Sequence, residues 1–397
     1  MNRIDELIKK LCPNGVEYKK ASEIKIESFW LMPSTPTYIA DGVPYITSKN
    51  IKNGKINFEN VNYISEKDYL SISSNRTIKK NDLLITMIGT IGETAFVEED
   101  IKFYGQNMYL IRLNEKVINR KFFNYYLTSE KIKNSLVSRK NTSSQGYIKA
   151  GSIENLLLPV PPLEVQCEIV NILDNFTLLS AELSAELKAR QKQFTYFEEK
   201  LLFNNNFEKV KLADLCIVNQ GLQIPINQRK KEPAENRYFY ITVQFLKGGD
   251  EKYYIESPQP NVICKKEDIL VTRTGSTGKI ITGVEGCFHN NFFKVEPNER
   301  VLKRYLYFVL NSKRMYNKML RAASGGTVPD LPHRKFYNLE IFLPSIEEQE
   351  KIINILDSFE KLCNDISEGL PAEIEARQKQ YKYYRDKLLT FKELKSK

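Results

Sequence analysis

Residues 161–176 read PPLEVQCEIVNILDNF, and residues 344–359 read PSIEEQEKIINILDSF. Gln166 and six of the ten residues after it recur in the same order, beginning with Gln349. Self-similarity at a fixed distance along a chain is typical of a duplicated structural unit. The sequence therefore predicts two half-molecules of about 190 residues each.

The repeated segments carry apolar residues spaced as on one face of a helix. The first copy has this stripe at Ile169, Ile172, Phe176, Leu179, Leu183, Leu187, Phe194, Phe197 and Leu201. The spacing predicts a helix over residues 162–203, about 60 Å long. In the second copy Ser345 and Glu348 form a capping-box pattern, whereas Gly369 and Pro371 predict a break or kink. The apolar stripe of so long a helix must pack against another helix. The helical segment of the second copy is expected to be that partner, which would give a coiled pair.

The repeat continues upstream of each helical segment, although more weakly. DLLITMIGTIG at 82–92 matches DILVTRTGSTG at 268–278, and GQNMYLI at 105–111 sits opposite HNNFFKV at 289–295. Short runs of strand-forming residues bounded by Asn, Gly, Lys and Asp predict strands, with helical stretches between them. We therefore predict an α+β fold with two repeated mixed α/β modules joined by two long helices.

The composition restricts the class of protein. The chain has 397 residues and a formal net charge of +10, which favours an anionic partner such as nucleic acid but also fits many other basic proteins. The six cysteines form no CxxC pair, and Cys287 with His289 gives too few ligands for a zinc site. The N-terminus does not resemble a signal peptide, and no apolar run is long enough to span a membrane. We expect a cytoplasmic protein without a metal site or a membrane partner.

No catalytic motif is convincing. Adenine methyltransferases carry an Asn/Asp-Pro-Pro-aromatic motif, and residues 160–163 (VPPL) lack both its polar residue and its aromatic residue. Residues 275–279 (GSTGK) are too short for a phosphate-binding loop. Asp100 and Lys102 have a nuclease-like spacing that is common by chance. The sequence therefore predicts a binding protein with no catalytic residues and no cofactor of its own.

Five blocks carry a resemblance to a known family. They are LCPNGVEYKKASEI, DLLITMIGTIGETAFV, DILVTRTGSTGKI, LLLPVPPLEVQ and GLPAEIEARQKQYKYYRDKLLTF. Together they resemble the specificity subunits of Type I restriction–modification systems over nearly the whole chain. The resemblance implies target-recognition domains at 1–160, with a short N-terminal helix, and at 207–343. It also implies a central spacer helix at 161–206 and a C-terminal spacer helix at 344–397, packed antiparallel as a coiled-coil spacer.

The resemblance also implies function and partners. Each target-recognition domain would bind one half of an asymmetric bipartite site in double-stranded DNA. Two modification (methyltransferase) subunits would dock on the chain and methylate adenine, and restriction (translocase/nuclease) subunits would join in complexes that cut DNA. S-adenosylmethionine, ATP and Mg are expected on those partners. The alternatives are a specificity subunit of another restriction class and a fused modification–restriction enzyme, although the missing motifs argue against the latter.

Residues 180–187 read SAELSAEL, a tandem tetrapeptide similar to those that set spacer length in this family. Four residues turn a helix by about 400°, roughly 40° beyond a full turn. One base pair turns DNA by about 34–36°. We therefore predict that deleting one SAEL shortens the DNA spacer by one base pair. A helical segment with no role in spacing is the alternative.

Candidate DNA-contacting side chains lie in loops at equivalent positions of the repeat, where small polar residues and Lys or Arg can reach phosphates and base edges. In the first module they are Ser48, Lys49, Asn50, Thr90, Ser143, Ser144 and Gln145. In the second module they are Gln244, Arg273, Thr274, Ser276, Thr277, Ser324, Thr327, His333 and Arg334. Residues 89–92 and 275–278 are either phosphate-binding nests or tight hairpins without a ligand. Arg273 stands opposite Met87 and is a candidate guanine reader, with a phosphate or structural role equally open.

Residues that read bases should lie where the two modules differ, because blocks that a whole family shares cannot set a particular sequence. The segments 24–42, 52–80, 216–237 and 247–266 do not align between the modules. They are the other places in which base readers are expected. Since the modules differ, the two half-sites are expected to differ as well.

Overall fold

The structure, a computed structural model, describes residues 2–138, 146–325, 328–364 and 368–394. The chain divides into two compact units: unit 1 is Met1–Glu182 with Glu375–Lys397, and unit 2 is Leu183–Ile374. Each unit combines a globular module with parts of the long helices. The four-segment division expected from the sequence is finer than this one, and its boundaries stay a prediction.

The module of unit 1 is built from short strands and helices. Its described helices are α1 (Asn2–Leu11), α2 (Glu66–Ser73), α3 (Arg120–Leu127), α4 (Glu130–Ser138) and α5 (Ala150–Glu154). Its described strands are β1 (Glu17–Lys20), β2 (Lys25–Leu31), β3 (Tyr38–Ile39), β4 (Val43–Ile46), β5 (Ile51–Lys52), β6 (Lys55–Ile56), β7 (Asn62–Ile64), β8 (Leu83–Thr86), β9 (Thr94–Phe96), β10 (Tyr104–Gly105), β11 (Met108–Leu113) and β12 (Leu157–Val160).

Within the described residues, the strands of unit 1 form two four-stranded sheets, in the orders β2-β11-β8-β9 and β10-β4-β7-β3. Strand β10 runs parallel to β4, and β1 pairs antiparallel with β12. Strand β8 is buried throughout, and its first three residues are apolar because both faces of the strand are covered. Leu83 and Ile85 pack in one core cluster with Phe122 of α3, whereas Leu84 packs with Leu110 in a second cluster.

Helix α6 (Leu163–Leu202) leads from unit 1 into unit 2. The described helices that follow it are α7 (Val243–Leu246), α8 (Lys303–Asn311), α9 (Lys313–Ala322), α10 (His333–Tyr337), α11 (Ile346–Asn364) and α12 (Leu370–Leu388). The strands of unit 2 in the described ranges are β13 (Glu208–Lys211), β14 (Cys216–Gln220), β15 (Arg237–Ile241), β16 (Tyr254–Glu256), β17 (Ile263–Cys264), β18 (Ile269–Thr272), β19 (Ile280–Ile281), β20 (Gly286–Phe288), β21 (Phe292–Pro297) and β22 (Glu340–Leu343).

Unit 2 repeats the topology of unit 1. As far as the structure describes it, the sheet order β14-β21-β18-β19 reproduces β2-β11-β8-β9, and β13 pairs with β22 as β1 does with β12. The parallel pair β15–β20 corresponds to β4–β10. The second sheets differ at their edges, where β3 lies beside β7 in unit 1 and β17 lies beside β20 in unit 2. The duplication predicted from the sequence is confirmed, with a different edge in each copy.

The predicted long helices are also confirmed. The expected helix over 162–203 is α6, and the second copy is divided into α11 and α12, as the Gly369 and Pro371 pattern predicted. In unit 1, Phe176 of α6 stacks on Tyr384 of α12 with 5.6 Å between ring centroids. In unit 2, Phe197 of α6 stacks on Phe359 of α11 at 5.5 Å. The early part of α6 thus meets the later C-terminal helix, and its late part meets the earlier one, which is the order of antiparallel helices.

A buried glutamine fastens α6 to the module of unit 1. The side-chain oxygen of Gln166 accepts from the Asn119 N–H at 2.7 Å. Its Nε2 donates to the carbonyls of Pro161 at 2.7 Å and Val117 at 3.1 Å. Buried carboxamides are stable only when their donors and acceptors are satisfied, as they are here. These three hydrogen bonds, which we call the bracket, hold the start of α6 against the loop that precedes α3.

The same bracket recurs in unit 2. Gln349 accepts from the Leu302 N–H at 2.8 Å and donates to the carbonyls of Pro344 at 3.0 Å and Arg300 at 3.1 Å. Both glutamines are fully buried. Gln166 and Gln349 recur in the sequence because each holds a long helix on its own module. None of the helices in the described ranges has the length and hydropathy needed to cross a lipid bilayer.

Candidate nucleic-acid interface

The hairpin between β8 and β9 is organised by one buried threonine. Thr86 donates from Oγ1 to the Thr90 carbonyl and accepts from the Glu93 N–H at 3.0 Å. The Thr90 side chain is exposed. The polar atoms of Thr86 therefore stabilise the turn from within, and Gly89 and Thr90 at its tip are exposed.

The hairpin between β18 and β19 is built in the same way. Thr272 donates to the Ser276 carbonyl at 2.6 Å and accepts from the Lys279 N–H at 2.8 Å. Thr274 donates to the Asn291 side-chain oxygen at 2.8 Å. Both hairpins need glycine, because their φ angles lie at +80° to +86° for Gly89, Gly92, Gly275 and Gly278. Internal bonds and backbone geometry account for the repeated motif, and phosphate binding by the hairpins stays a prediction.

Replacing Thr86 by valine, which has the same shape, should destabilise unit 1 by about 1–3 kcal/mol, because the partly buried Glu93 N–H loses its acceptor. Thermal unfolding of the variant measures this. Thr90→Val is the matched control, since that side chain lies exposed on the same hairpin and should change stability by less than about 0.5 kcal/mol. Equal effects of the two substitutions would contradict this account of the hairpin.

The predicted residues Ser48, Lys49 and Asn50 form a short turn after β4. Ser48 is buried, and Asn50 accepts from the Thr47 N–H at 2.9 Å while its Nδ2 donates to a nearby carbonyl. Ser48 and Asn50 therefore hold the turn, whereas Lys49 is exposed. A Cβ on Gly89 would lie 3.5 Å from Ser48 Oγ, so the hairpin that carries Thr90 packs against this turn. The structure thus brings two of the predicted loops of unit 1 together.

A polar cavity of about 400 Å³ lies beside the same turn. Besides the turn, it is lined by carboxamide side chains that the sequence analysis did not single out: Asn60, Asn62, Gln106 and Asn107. The sequence signal available for the first two was that residues 52–80 do not align between the modules.

Four further predicted residues, Ser143, Ser144, Gln145 and Thr327, lie outside the described residues.

Arg273 is held by an ion pair in unit 2. Its guanidinium binds both carboxylate oxygens of Asp330, at 2.6 and 3.0 Å, and donates to the Gln220 side-chain oxygen at 3.3 Å. Hydrogen bonding to Arg273 lowers the pKa of Asp330, and the same bond raises the pKa of Arg273. The repeat-equivalent Met87 is fully buried. These contacts support a structural role for Arg273, and base reading by its guanidinium stays a prediction.

The predicted residues Thr277 and Ser324 belong to the same structural unit around Asp330. Thr277 is buried and donates to the Pro329 carbonyl at 2.6 Å, so its hydroxyl holds the hairpin on this segment. Ser324 and Asp330 exchange backbone hydrogen bonds of 2.8 Å. The Leu331 N–H donates to the Arg273 carbonyl at 3.1 Å. Arg273, Thr277 and Ser324 therefore lie together around Asp330. The Thr277 hydroxyl is buried there and holds the loops in place.

The remaining predicted residues of unit 2 are Gln244, His333 and Arg334. Gln244 on α7 and Arg334 on α10 are exposed. His333 packs edge-on against Phe293 with ring centroids 5.0 Å apart. Burial lowers the pKa of His333, and Arg273 lowers it further, so the imidazole is neutral at pH 7. Its Nε2 is buried and has no hydrogen-bond partner in the part of the chain that the structure describes.

Comparison with known families gives one match that spans most of the chain. The model of the Type I restriction modification DNA specificity domain matches residues 32–190 and again residues 204–376. The two matches cover the two halves of the duplication described above. They include α6 as far as residue 190, all of α11 and the first residues of α12.

Curated proteins and solved structures agree with this match. The chain is 33% identical over 309 residues to a putative type I restriction enzyme specificity subunit of Haemophilus influenzae, with coverage of 73% of this chain and 77% of the relative. It is 36% identical over 250 residues to the EcoR124I/EcoR124II specificity subunit of Escherichia coli, covering 59% and 61%. In fold it is similar to a type I restriction-modification S subunit from M. genitalium, with a TM-score of 0.54, 16% identity, and coverage of 95% and 97%. A chain from a structure of type I R-M complex assembly gives a TM-score of 0.62 at 17% identity, covering 95% and 98%.

Proposed function

The chain belongs to the Type I restriction–modification DNA specificity family, and we propose that it reads the DNA site for partner subunits that carry out the chemistry. The single observation that carries the proposal is the duplication of one recognition module with different polar loops in each copy. The shared fold presents its polar loops to DNA in the same way in both modules. Because the loop side chains differ, each module recognises a different DNA half-site.

The two copies carry different side chains at one position where their backbone hydrogen bonds match. The Gln106 N–H donates to the Ile46 carbonyl at 3.1 Å, and the His289 N–H donates to the Ile241 carbonyl at 3.0 Å. The two residues therefore follow the parallel strand pair at the same place in each module. One is a carboxamide, and the other is an imidazole whose pKa is lowered, first by burial and then by a nearby arginine. Unlike chemistry at equivalent positions supports an asymmetric DNA site with two different half-sites.

The partners follow from the same proposal. The chain binds double-stranded DNA, and its net charge of +10 favours contact with phosphates. Two modification subunits dock on it and methylate adenine, and restriction subunits join them where DNA is cut. S-adenosylmethionine, ATP and Mg bind to these partners. The family membership favours this function over a fused modification–restriction enzyme.

The test is a binding titration of the chain assembled with its modification subunits. It compares a duplex that this assembly has selected from a random library with a scrambled duplex of equal length. At physiological salt the selected duplex should bind on the order of 10³-fold or more tightly. Raising the salt should weaken binding to both duplexes, because phosphate contacts release counterions. Equal affinity for both duplexes would contradict the proposal. The chain alone, incubated with DNA and S-adenosylmethionine, should transfer no methyl group.

A further inference from the structure

The polar cavity of unit 1 has the features of a pocket that reads a base edge. It lies beside the turn of Ser48 and the exposed Lys49, where the hairpin after β8 also packs. Asn62 is the first residue of β7 and is paired with Tyr45 of β4. Gln106 follows β10, which pairs with the other edge of β4. The sheet therefore brings Asn62 and Gln106 to the cavity from the two strands that flank β4.

Tyr45 fixes the orientation of the Gln106 side chain. The buried Tyr45 hydroxyl donates to Gln106 Oε1 at 3.3 Å. Burial raises the pKa of Tyr45 well above its ordinary value, so this hydroxyl keeps its proton and remains a donor. Gln106 Oε1 therefore faces Tyr45 with a second lone pair left, and within the described residues no hydrogen bond engages its Nε2, which can donate to a ligand.

The chemistry of the lining discriminates between bases. Adenine presents an acceptor, N7, beside a donor, N6–H, in the major groove, and the carboxamide of Asn or Gln matches both groups at once. Cytosine calls for an acceptor such as a carboxylate, and the described residues that line the cavity include none. Guanine is usually read by Arg or Lys, and the cation of the described lining is Lys49, which is exposed.

We propose that the carboxamides of Gln106 and Asn62 read an adenine in the half-site that unit 1 recognises. The inference rests on the proposed function, and it adds the residues and the base that they select. Lys49, at the rim, contacts a neighbouring phosphate. In unit 2 the position with the same backbone hydrogen bond as Gln106 is His289, although the sequence repeat aligns Gln106 with Asn290. The His289 imidazole cannot offer a donor and an acceptor side by side as a carboxamide does.

The experiment uses the full chain assembled with its modification subunits and selects duplexes from a random library. Gln106→Met and Asn62→Leu remove the carboxamides at similar size, and Asn75→Leu is the matched control, because Asn75 is an exposed carboxamide of the same unit outside the cavity. Wild type and Asn75→Leu should select the same two half-sites. Gln106→Met and Asn62→Leu should lose the preference at one A·T pair in one half-site and keep the other half-site, which reports that the variants are folded.

Duplexes with 7-deazaadenine at that pair provide the second measurement. Wild type should bind them roughly 5- to 100-fold more weakly, whereas Gln106→Met should show little further loss. The inference is overturned if both cavity variants select the wild-type sites unchanged, or if the relaxed position is a G·C pair. If the wild-type assembly selects no sequence, the proposed function itself is wrong. If it selects a site that the cavity variants leave unchanged, only the inference about the cavity is wrong, so the two failures are distinguishable.

Discussion

Replacing Gln166 by leucine is expected to lower the stability of unit 1 by about 3–6 kcal/mol, one of the two largest effects anticipated for a small change in this chain. The substitution leaves the Asn119 N–H and the carbonyls of Val117 and Pro161 without their partner. Each of the three groups that loses this side-chain partner costs about 1–2 kcal/mol, because two of the three hydrogen bonds are only partly buried. For a unit of this size the melting temperature should fall on the order of 10 °C.

Differential scanning calorimetry measures this prediction. Gln349→Leu should have an effect of similar size on unit 2, because its bracket is the same. Gln191→Leu is the control, since Gln191 is exposed on the same helix as Gln166. If Gln166→Leu shifts the melting temperature no more than Gln191→Leu does, the bracket does not hold the helix on its module.

Deleting one SAEL tetrapeptide, residues 184–187, is expected to change which DNA site is bound. These residues lie inside the continuous helix α6, so the deletion removes one full turn and about 40° more. That rotation is close to the turn of one base pair. Affinity for the original site should fall on the order of 10³-fold, toward non-specific binding, because only one half-site can then be engaged. A site with a spacer one base pair shorter should be bound instead.

Competition binding with duplexes of graded spacer length tests this prediction. Glu186→Gln is the matched control, because it changes the chemistry of the tetrapeptide and keeps the length of the helix. The control should retain the original spacer. A deletion variant that still prefers the original spacer would show that the tetrapeptide does not set the distance between half-sites.

Long-helix positions were predictable because a helix is determined by local spacing. The apolar stripe predicted 162–203, and α6 occupies Leu163–Leu202. The break before α12 followed from Gly369 and Pro371 in the same local way. The pairing of β4 with β10 joins residues far apart in the chain, and no local pattern in the sequence specifies it.

The site was predictable only in part for the same reason. The turn of Ser48 and the two glycine hairpins were predicted, because repeated polar loops stand out along a chain. The segment 52–80 was predicted as a whole, but neither Asn62 within it nor Gln106 was predicted by name, because only the pairing of β4 with both β7 and β10 brings these two residues beside one cavity. Thr277 was predicted to contact DNA, whereas its hydroxyl is buried against the Pro329 carbonyl. Solvent exposure depends on tertiary packing that a loop pattern does not reveal.

The central claim is that two unlike modules on one chain read two unlike half-sites. Mapping adenine methylation in cells that contain the modification subunits, with and without this chain, tests it most directly. The account predicts that methylation appears only with the chain, at an asymmetric site of two different half-sites separated by a spacer of fixed length. Methylation that is independent of the chain, or that occurs at one uninterrupted or palindromic sequence, would contradict it.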